Sequence, residues 1–252
     1  MKRIALLTAI AALILLLNVG WQNPQDKHDI AAYIVKVVRD VKKRSTTTGW
    51  QTAVPLDRLK SGYQVRTEES SLAMIKFADN SKLIVRQKSI VDIKGEVRGR
   101  QILDRNVYTE RGNIQFNVVK QEREQFRFSS PVSVASIRGT EGAFIAGVDS
   151  VDNLIIIHGL ATLTNLLSNQ SQDVGNGQTG RSDGHGNVGV HNSSNDEQNM
   201  GTDNPNSPYN QGLQEGQQGG QQGDQGKTKR TLRIPGEDKD GNTKTIILEW
   251  EE

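Results

Sequence analysis

Between Ala32 and about Leu167 the chain breaks into short apolar runs that alternate with polar residues. Clusters of Gly, Asn, Asp and Ser interrupt them at roughly 8–12 residue spacing, the rhythm of an all-β sandwich or barrel. "AYIVKVVRDV" is β-branched, and "SIVDIKGEVRG", "NIQFNVV", "AFIAGV" and "NLIIIHGLATLTNLL" repeat the theme. "MIKFADNSKLIVR" reads as a hairpin, with the turn-forming "ADNS" between two apolar runs. In "EQFRFSSPVSVASI", Pro131 marks a bend or an edge, because proline cannot donate to a ladder. The fold class expected is therefore all-β, a sandwich or roll of many short strands. Helical periodicity is convincing only near the N-terminus.

There, "MKR" precedes an unbroken apolar run over residues 4–20. A short basic segment before such a run is the pattern of an export signal, oriented by the positive-inside rule. About 17 residues is the lower edge of what spans a bilayer as a helix. Residues 1–21 thus read as a cleaved signal or a retained inner-membrane anchor, and either places the body in the periplasm or at the cell surface.

Composition narrows the function classes. The chain of 252 residues has a formal net charge of +2, which gives no global electrostatic case for nucleic acid. It has no cysteine, which excludes disulfides, thiolate metal sites and cysteine nucleophiles. "GNGQTG" contains G-x-G-x-x-G at Gly175, Gly177 and Gly180, but no helical pattern follows it, so these read as turn glycines. "DKDGNTKTIILE" sets Asp238, Asp240, Asn242 and Glu249 at calcium-loop positions, yet Thr243 stands where the sharp turn needs glycine. His28, His158, His185 and His191 are scattered, and no G-x-S-x-G elbow occurs. Expected, then, are no catalytic centre, no metal and no cofactor.

The order of motifs from Trp50 to Gly180 resembles the FecR domain, an extracytoplasmic β-module of bacteria. Leu59, Gly62, Val65, Thr67, Ser71, Ala73, Ile75, Phe77, Asp79 and Ser81 fall on its opening pattern. Tyr63 stands where Asp is usual and Asn80 where Gly is usual. Gly112, Ile114, Phe116 and Val118 match a later step, and Pro131, Ala135, Ile137, Gly139, Thr140 and Phe144 the next. The resemblance implies that Gly62, Thr67, Gly112, Gly139, Thr140 and Gly159 are structural turn residues. In "SIRGTEG", Gly139 is expected to turn the chain between strands, with Thr140 and Glu141 bonding the amides of the corner. Arg138 is left as a candidate for an acidic partner. Members of the family carry a cytoplasmic anti-sigma segment before the membrane helix. Here only Met1, Lys2 and Arg3 precede it, so the expectation is a stand-alone envelope module.

The FecR-like domain is placed at residues 29–190. A Gln/Gly/Asn-rich stretch over 191–227 lacks the large apolar residues needed to offset the entropy of ordering, and reads as a disordered linker. Residues 228–252 recover a hairpin about Asp240 and Gly241. Its favoured register sets Leu232 opposite Leu248, Ile234 opposite Ile246 and Lys229 opposite Glu251. An isolated hairpin is marginal in water, so this one is expected to add strands to the main sheet or to a partner. Leu232, Ile234, Ile246, Leu248 and Trp250 are the apolar partner-facing candidates, with an edge cap on the chain's own domain as the alternative. The partner expected is an envelope protein or cell-surface polymer. The function expected is a non-enzymatic binding or scaffold module, with signal sensing through a separate anti-sigma system as the alternative. An envelope glycan hydrolase is a third, weaker alternative.

Overall fold

The computed structural model describes residues 30–98, 101–120, 125–201, 229–237 and 243–251. The apolar run at residues 4–20, residues 202–227 of the linker and the calcium-like Asp238, Asp240 and Asn242 lie outside these. The first half of the body contains β1 (Ile30–Val38), β2 (Val41–Arg44), β3 (Gln51–Thr52), β4 (Arg58–Lys60), β5 (Tyr63–Thr67), β6 (Leu72–Phe77), β7 (Lys82–Val85), β8 (Ser89–Arg98) and β9 (Gln101–Tyr108). The second contains β10 (Gly112–Asn117), β11 (Gln125–Ser129), β12 (Ser133–Ile137), β13 (Glu141–Ala146), β14 (Val151–His158), β15 (Ala161–Asn165), β16 (Ser171–Val174), β17 (Gln178–Asp183) and β18 (Val188–Asn192). The expected all-β class holds.

Two nine-stranded sheets result. One runs β18-β17-β14-β13-β10-β7-β6-β1-β4, and the other β16-β15-β12-β11-β9-β8-β5-β2-β3. Strands β9 and β11 pair in parallel; the remaining described pairs are antiparallel. From β10 onward the chain lays down a hairpin in one sheet and then crosses to the other. β11–β12 and β15–β16 belong to the second sheet, and β13–β14 and β17–β18 to the first. "MIKFADNSKLIVR" forms the β6–β7 hairpin, and Ser130, Pro131 and Val132 form the bend between β11 and β12.

Alternation in sequence becomes two-faced burial. In β6, Ala73, Ile75 and Phe77 point between the sheets, while Met74 and Lys76 are part-exposed. All five phenylalanines of the chain lie in this core. Phe77 meets Phe126 edge-on at 5.1 Å, and Phe128 stacks on Phe116 at 4.7 Å and on Phe144 at 6.0 Å. Such pairs add about 0.5–1.5 kcal/mol each beyond the area they bury.

One element was not anticipated. A short helix, α1 (Asn195–Gly201), follows β18 in the stretch read as linker. Its start is a reciprocal capping box: the Ser194 amide donates to Glu197 Oε2 at 2.7 Å, and the Glu197 amide to Ser194 Oγ at 3.3 Å. The helix covers the outer face of the first sheet, where Gln115 Nε2 donates to the Met200 carbonyl at 2.7 Å. A Cβ on Gly201 would stand 2.8 Å from Ile157 Cδ1, so any larger residue at the helix end would make that side chain shift.

The terminal hairpin, β19 (Lys229–Glu237) and β20 (Thr243–Glu251), has the anticipated register: Leu232 opposite Leu248, Ile234 opposite Ile246, Lys229 opposite Glu251, and Arg230 opposite Trp250. It forms its own two-stranded sheet rather than extending either large one. Strand addition to the main sheet, one of the two modes expected beside addition to a partner, is therefore not what the described residues form.

Candidate functional site

The Arg-Gly-Thr-Glu step occupies the crossing from β12 to β13. Gly139 has φ +67°, and a Cβ there would meet Lys120 Cβ at 2.7 Å. Thr140 is 2% exposed. Its amide donates to the Val118 carbonyl at 3.1 Å and its carbonyl accepts from the Val118 amide at 2.9 Å. Its hydroxyl donates to the Leu160 carbonyl at 3.0 Å. Thr140 therefore satisfies a carbonyl of the neighbouring crossing, not an amide of its own corner as expected. That neighbour, from β14 to β15, turns at Gly159 with φ +103°, where a Cβ would stand 2.7 Å from the Gly139 carbonyl oxygen. The Gly159 amide donates to Asn176 Oδ1 at 2.6 Å, beside Gly177 in the crossing from β16 to β17. Of the "GNGQTG" glycines, Gly175 and Gly177 are indeed turn residues, whereas Gly180 lies inside β17, where a Cβ would stand 2.6 Å from Val174 Cγ2. The corner is a stack of bonded crossings, and Arg138 stands exposed on it with no hydrogen bond or ion pair to a described residue.

A second device joins the sheets at the β6–β7 turn. Asp79 Oδ1 accepts from the Ser81 amide at 2.9 Å, and Oδ2 accepts from the Ser81 hydroxyl at 2.8 Å. Arg105 on β9 of the other sheet pairs with Asp79 at 3.2 Å, both side chains only 5% exposed. Ser81 Oγ also accepts from the Val119 amide at 3.1 Å. Thr67, 1% exposed, donates to the Ser89 carbonyl and accepts from the Ser89 amide at 3.2 Å. Gly112 opens β10 against Ser89, and Gly62 opens the approach to β5.

A further buried acid lies in the same body. Asp152 accepts from the Ser130 hydroxyl and from the Ser133 hydroxyl at 2.5 Å, and is 1% exposed. Burial pushes its carboxyl above the ordinary range, with the two hydroxyls pulling back. Its neighbours hold a bend: the Val132 and Ser133 amides donate to Ser130 Oγ at 2.8 and 3.0 Å. Among the described residues no group of three or more His, Asp or Glu side chains is placed to hold a metal ion.

The cleft of interest is elsewhere, at the end of the sandwich where β3 and β4 are the outermost strands. About 380 Å³ of open space lies among Lys43, Arg44, Arg58, Tyr63, Leu56 and the hydroxyls of Ser45 and Thr48. Lys43 and Asp57 pair across it, and Asp57 Oδ2 also accepts from the Val54 amide at 2.7 Å. Among the described residues the one acid of the cleft, Asp57, is thus already neutralised. Arg58 is exposed, has no ion-pair partner among the described residues, and stands opposite Tyr33 in the β1–β4 register. Burial raises the Tyr33 phenol, and the Arg58 charge opposes it. Arg44 and Arg66 both lie over the Trp50 ring, at 4.5 and 4.6 Å from its centre. Arg44 Nε donates to Gln64 Oε1 at 2.6 Å. Leu56, 42% exposed, holds φ +73° on the lip.

No motif in the sequence points to this cleft. The available signal was local charge: residues 36–66 carry eight Lys and Arg against two Asp, while the whole chain nets only +2.

The family model described as FecR protein matches residues 63–160. Over these residues the chain is similar to the FecR domain. The FecR match opens with β5 and closes at the Gly159 crossing, so it contains Thr67, Asp79, Gly112, Gly139 and Thr140. β1–β4 and β15–β18 lie outside it yet belong to the same two sheets. Apart from Tyr63, the residues of the cleft precede the matched span. Two solved structures of a candidate anti-sigma factor from Parabacteroides distasonis ATCC 8503 are similar at 12% identity and a TM-score of 0.45. Each likeness covers 52% of this chain and 60% of the other, so this chain spans less than two thirds of that protein's length. It is too loose to add to the domain match. No curated protein matches the chain.

Proposed function

We propose that the chain is a non-catalytic regulatory module of the cell envelope that works by binding another envelope protein. The observation that carries this reading is the FecR match at residues 63–160. Its matched polar residues are consumed in holding strands together: Thr67 ties β5 to β8, Asp79 ties the two sheets, and Thr140 ties adjacent crossings. Side chains so engaged are not free for chemistry, so recognition falls to surfaces outside that framework, above all the cationic cleft at β3 and β4. The FecR match also favours signalling over passive scaffolding, with the chain reporting the state of an envelope receptor to a separate regulator.

Action outside the cytoplasm rests on the "MKR" and apolar-run pattern of residues 1–20. Among the described residues no helix is long and apolar enough to cross a membrane. The test is chemical cross-linking in intact cells of the exported full chain, followed by affinity capture. A discrete protein partner is expected. Capture of cell-wall glycan alone, or turnover of such glycan by the purified chain, would overturn the reading.

A further inference from the structure

We propose that the cleft between β3 and β4 binds an extended acidic peptide, which adds a strand along β3 and presents its carboxylates to Arg58 and Arg44. This deepens the binding-module reading and rests on it.

Charge selects the ligand's sign. The lining contributes three cations and one acid, and that acid is held by Lys43 and the Val54 amide. Among the described residues Arg58 has no carboxylate in reach, and Arg44 is engaged only by an amide oxygen and an aromatic face. A guanidinium whose donors lack an anionic acceptor is suited to a carboxylate, which it grips with two parallel hydrogen bonds. The surrounding segment, eight basic residues to two acidic over 36–66, extends the attraction beyond the cleft.

Backbone geometry selects a peptide over other anions. β3 is the edge strand of its sheet and both of its residues are exposed. The Ala53 amide donates to the Val41 carbonyl at 2.9 Å, and Lys43 stands opposite Gln51. In an antiparallel ladder the residues bonded inward alternate with residues facing out, so Thr52 turns its N–H and C=O away from β2. Such an edge is the template for strand addition, in which main-chain bonds give affinity and side-chain contacts give selectivity. Leu56 supplies an apolar contact on the lip. Its amide is fixed to the Ile34 carbonyl at 2.7 Å, in a backbone conformation that a leucine adopts only when the surroundings enforce it.

The test is fluorescence anisotropy on the full chain with three labelled probes: a peptide alternating glutamate and valine, its lysine–valine counterpart, and an oligogalacturonate. Inorganic phosphate serves as competitor. The acidic peptide is expected to bind with a Kd that rises with salt, and the other two probes and phosphate are not. Arg58→Glu should weaken it at least tenfold. Thr52→Pro removes an N–H that the fold does not use, and should weaken it severalfold with circular dichroism and Tm unchanged. Equal binding of both peptides, preference for the oligogalacturonate, or indifference to both substitutions overturns the proposal. If the acidic peptide fails to bind while the cross-linked partner is still captured in cells, the cleft assignment falls and the binding-module reading stands. Failure of both overturns both.

Discussion

Asp79→Ala is the substitution whose cost follows most directly from the architecture. The wild-type carboxylate sits 3.2 Å from the Arg105 guanidinium, each side chain 5% exposed, and it accepts two bonds from Ser81. Removing one member of a buried pair leaves the other charged where water cannot reach it, at about 3–5 kcal/mol. The lost Ser81 bonds overlap with that cost and do not simply add to it. About 4 kcal/mol is therefore expected. At about 2–4 °C per kcal/mol for a body of this size, the Tm should fall by about 8–16 °C. Urea unfolding followed by tryptophan fluorescence reads the same quantity with an unchanged slope. The control is the pair Asp79→Asn and Arg105→Met together. It removes both charges and keeps the turn's amide-accepting oxygen, so it should be more stable than Asp79→Ala alone by about 2 kcal/mol. A single-variant cost below about 1 kcal/mol, or a double variant no better than Asp79→Ala, would show that the acid does not clip the sheets.

Three other outcomes follow from specific contacts. Gly159→Ala should cost about 2 kcal/mol or more, since it combines φ +103° with a Cβ 2.7 Å from the Gly139 carbonyl oxygen; near-neutral denaturation would contradict it. Ser194→Ala should weaken the helix cap by about 1 kcal/mol, seen as faster hydrogen exchange at residues 196–199 while the Tm of the sheets holds; unchanged exchange counts against the capping box. For Asp152 the folded pKa is raised, first by burial, so its ionisation penalises the fold at neutral pH, and the penalty fades as pH falls towards its unfolded value of 3.8. The stability gap between Asp152→Asn and wild type should accordingly shift in favour of wild type on acidification, and a pH-independent gap between pH 7 and 4 would refute this.

Much of the fold was legible because the core demands a period of two. Phe126 and Phe128 around Arg127, and Ile75 and Phe77 around Lys76, announce their strands by alternation alone. The terminal hairpin was legible from Asp240-Gly241, because a one-residue slip would set Glu249 against Leu232. Helix α1 escaped notice because seven residues cannot establish a helical period. Its Ser194-to-Glu197 spacing was the one local cue. The Gly139 corner was placed correctly, but its bonding was not, since the Leu160 carbonyl that Thr140 serves is 20 residues away. The cleft was missed for a similar reason. Arg44, Arg58 and Tyr63 meet only through pairing between β2, β5 and the β3–β4 crossing, and a near-zero total charge concealed a strongly basic segment.

The central claim, that the FecR-like framework is structural and recognition lies outside it at the β3–β4 cleft, is tested most directly by site-specific photo-cross-linking in living cells. A photoreactive amino acid is placed at Thr48 in the cleft, or at Leu167 on the turn between β15 and β16. The account predicts a discrete protein adduct from Thr48 that disappears with Arg58→Glu, and none from Leu167. An adduct from Leu167 with Thr48 silent, or a Thr48 adduct indifferent to Arg58→Glu, would contradict it.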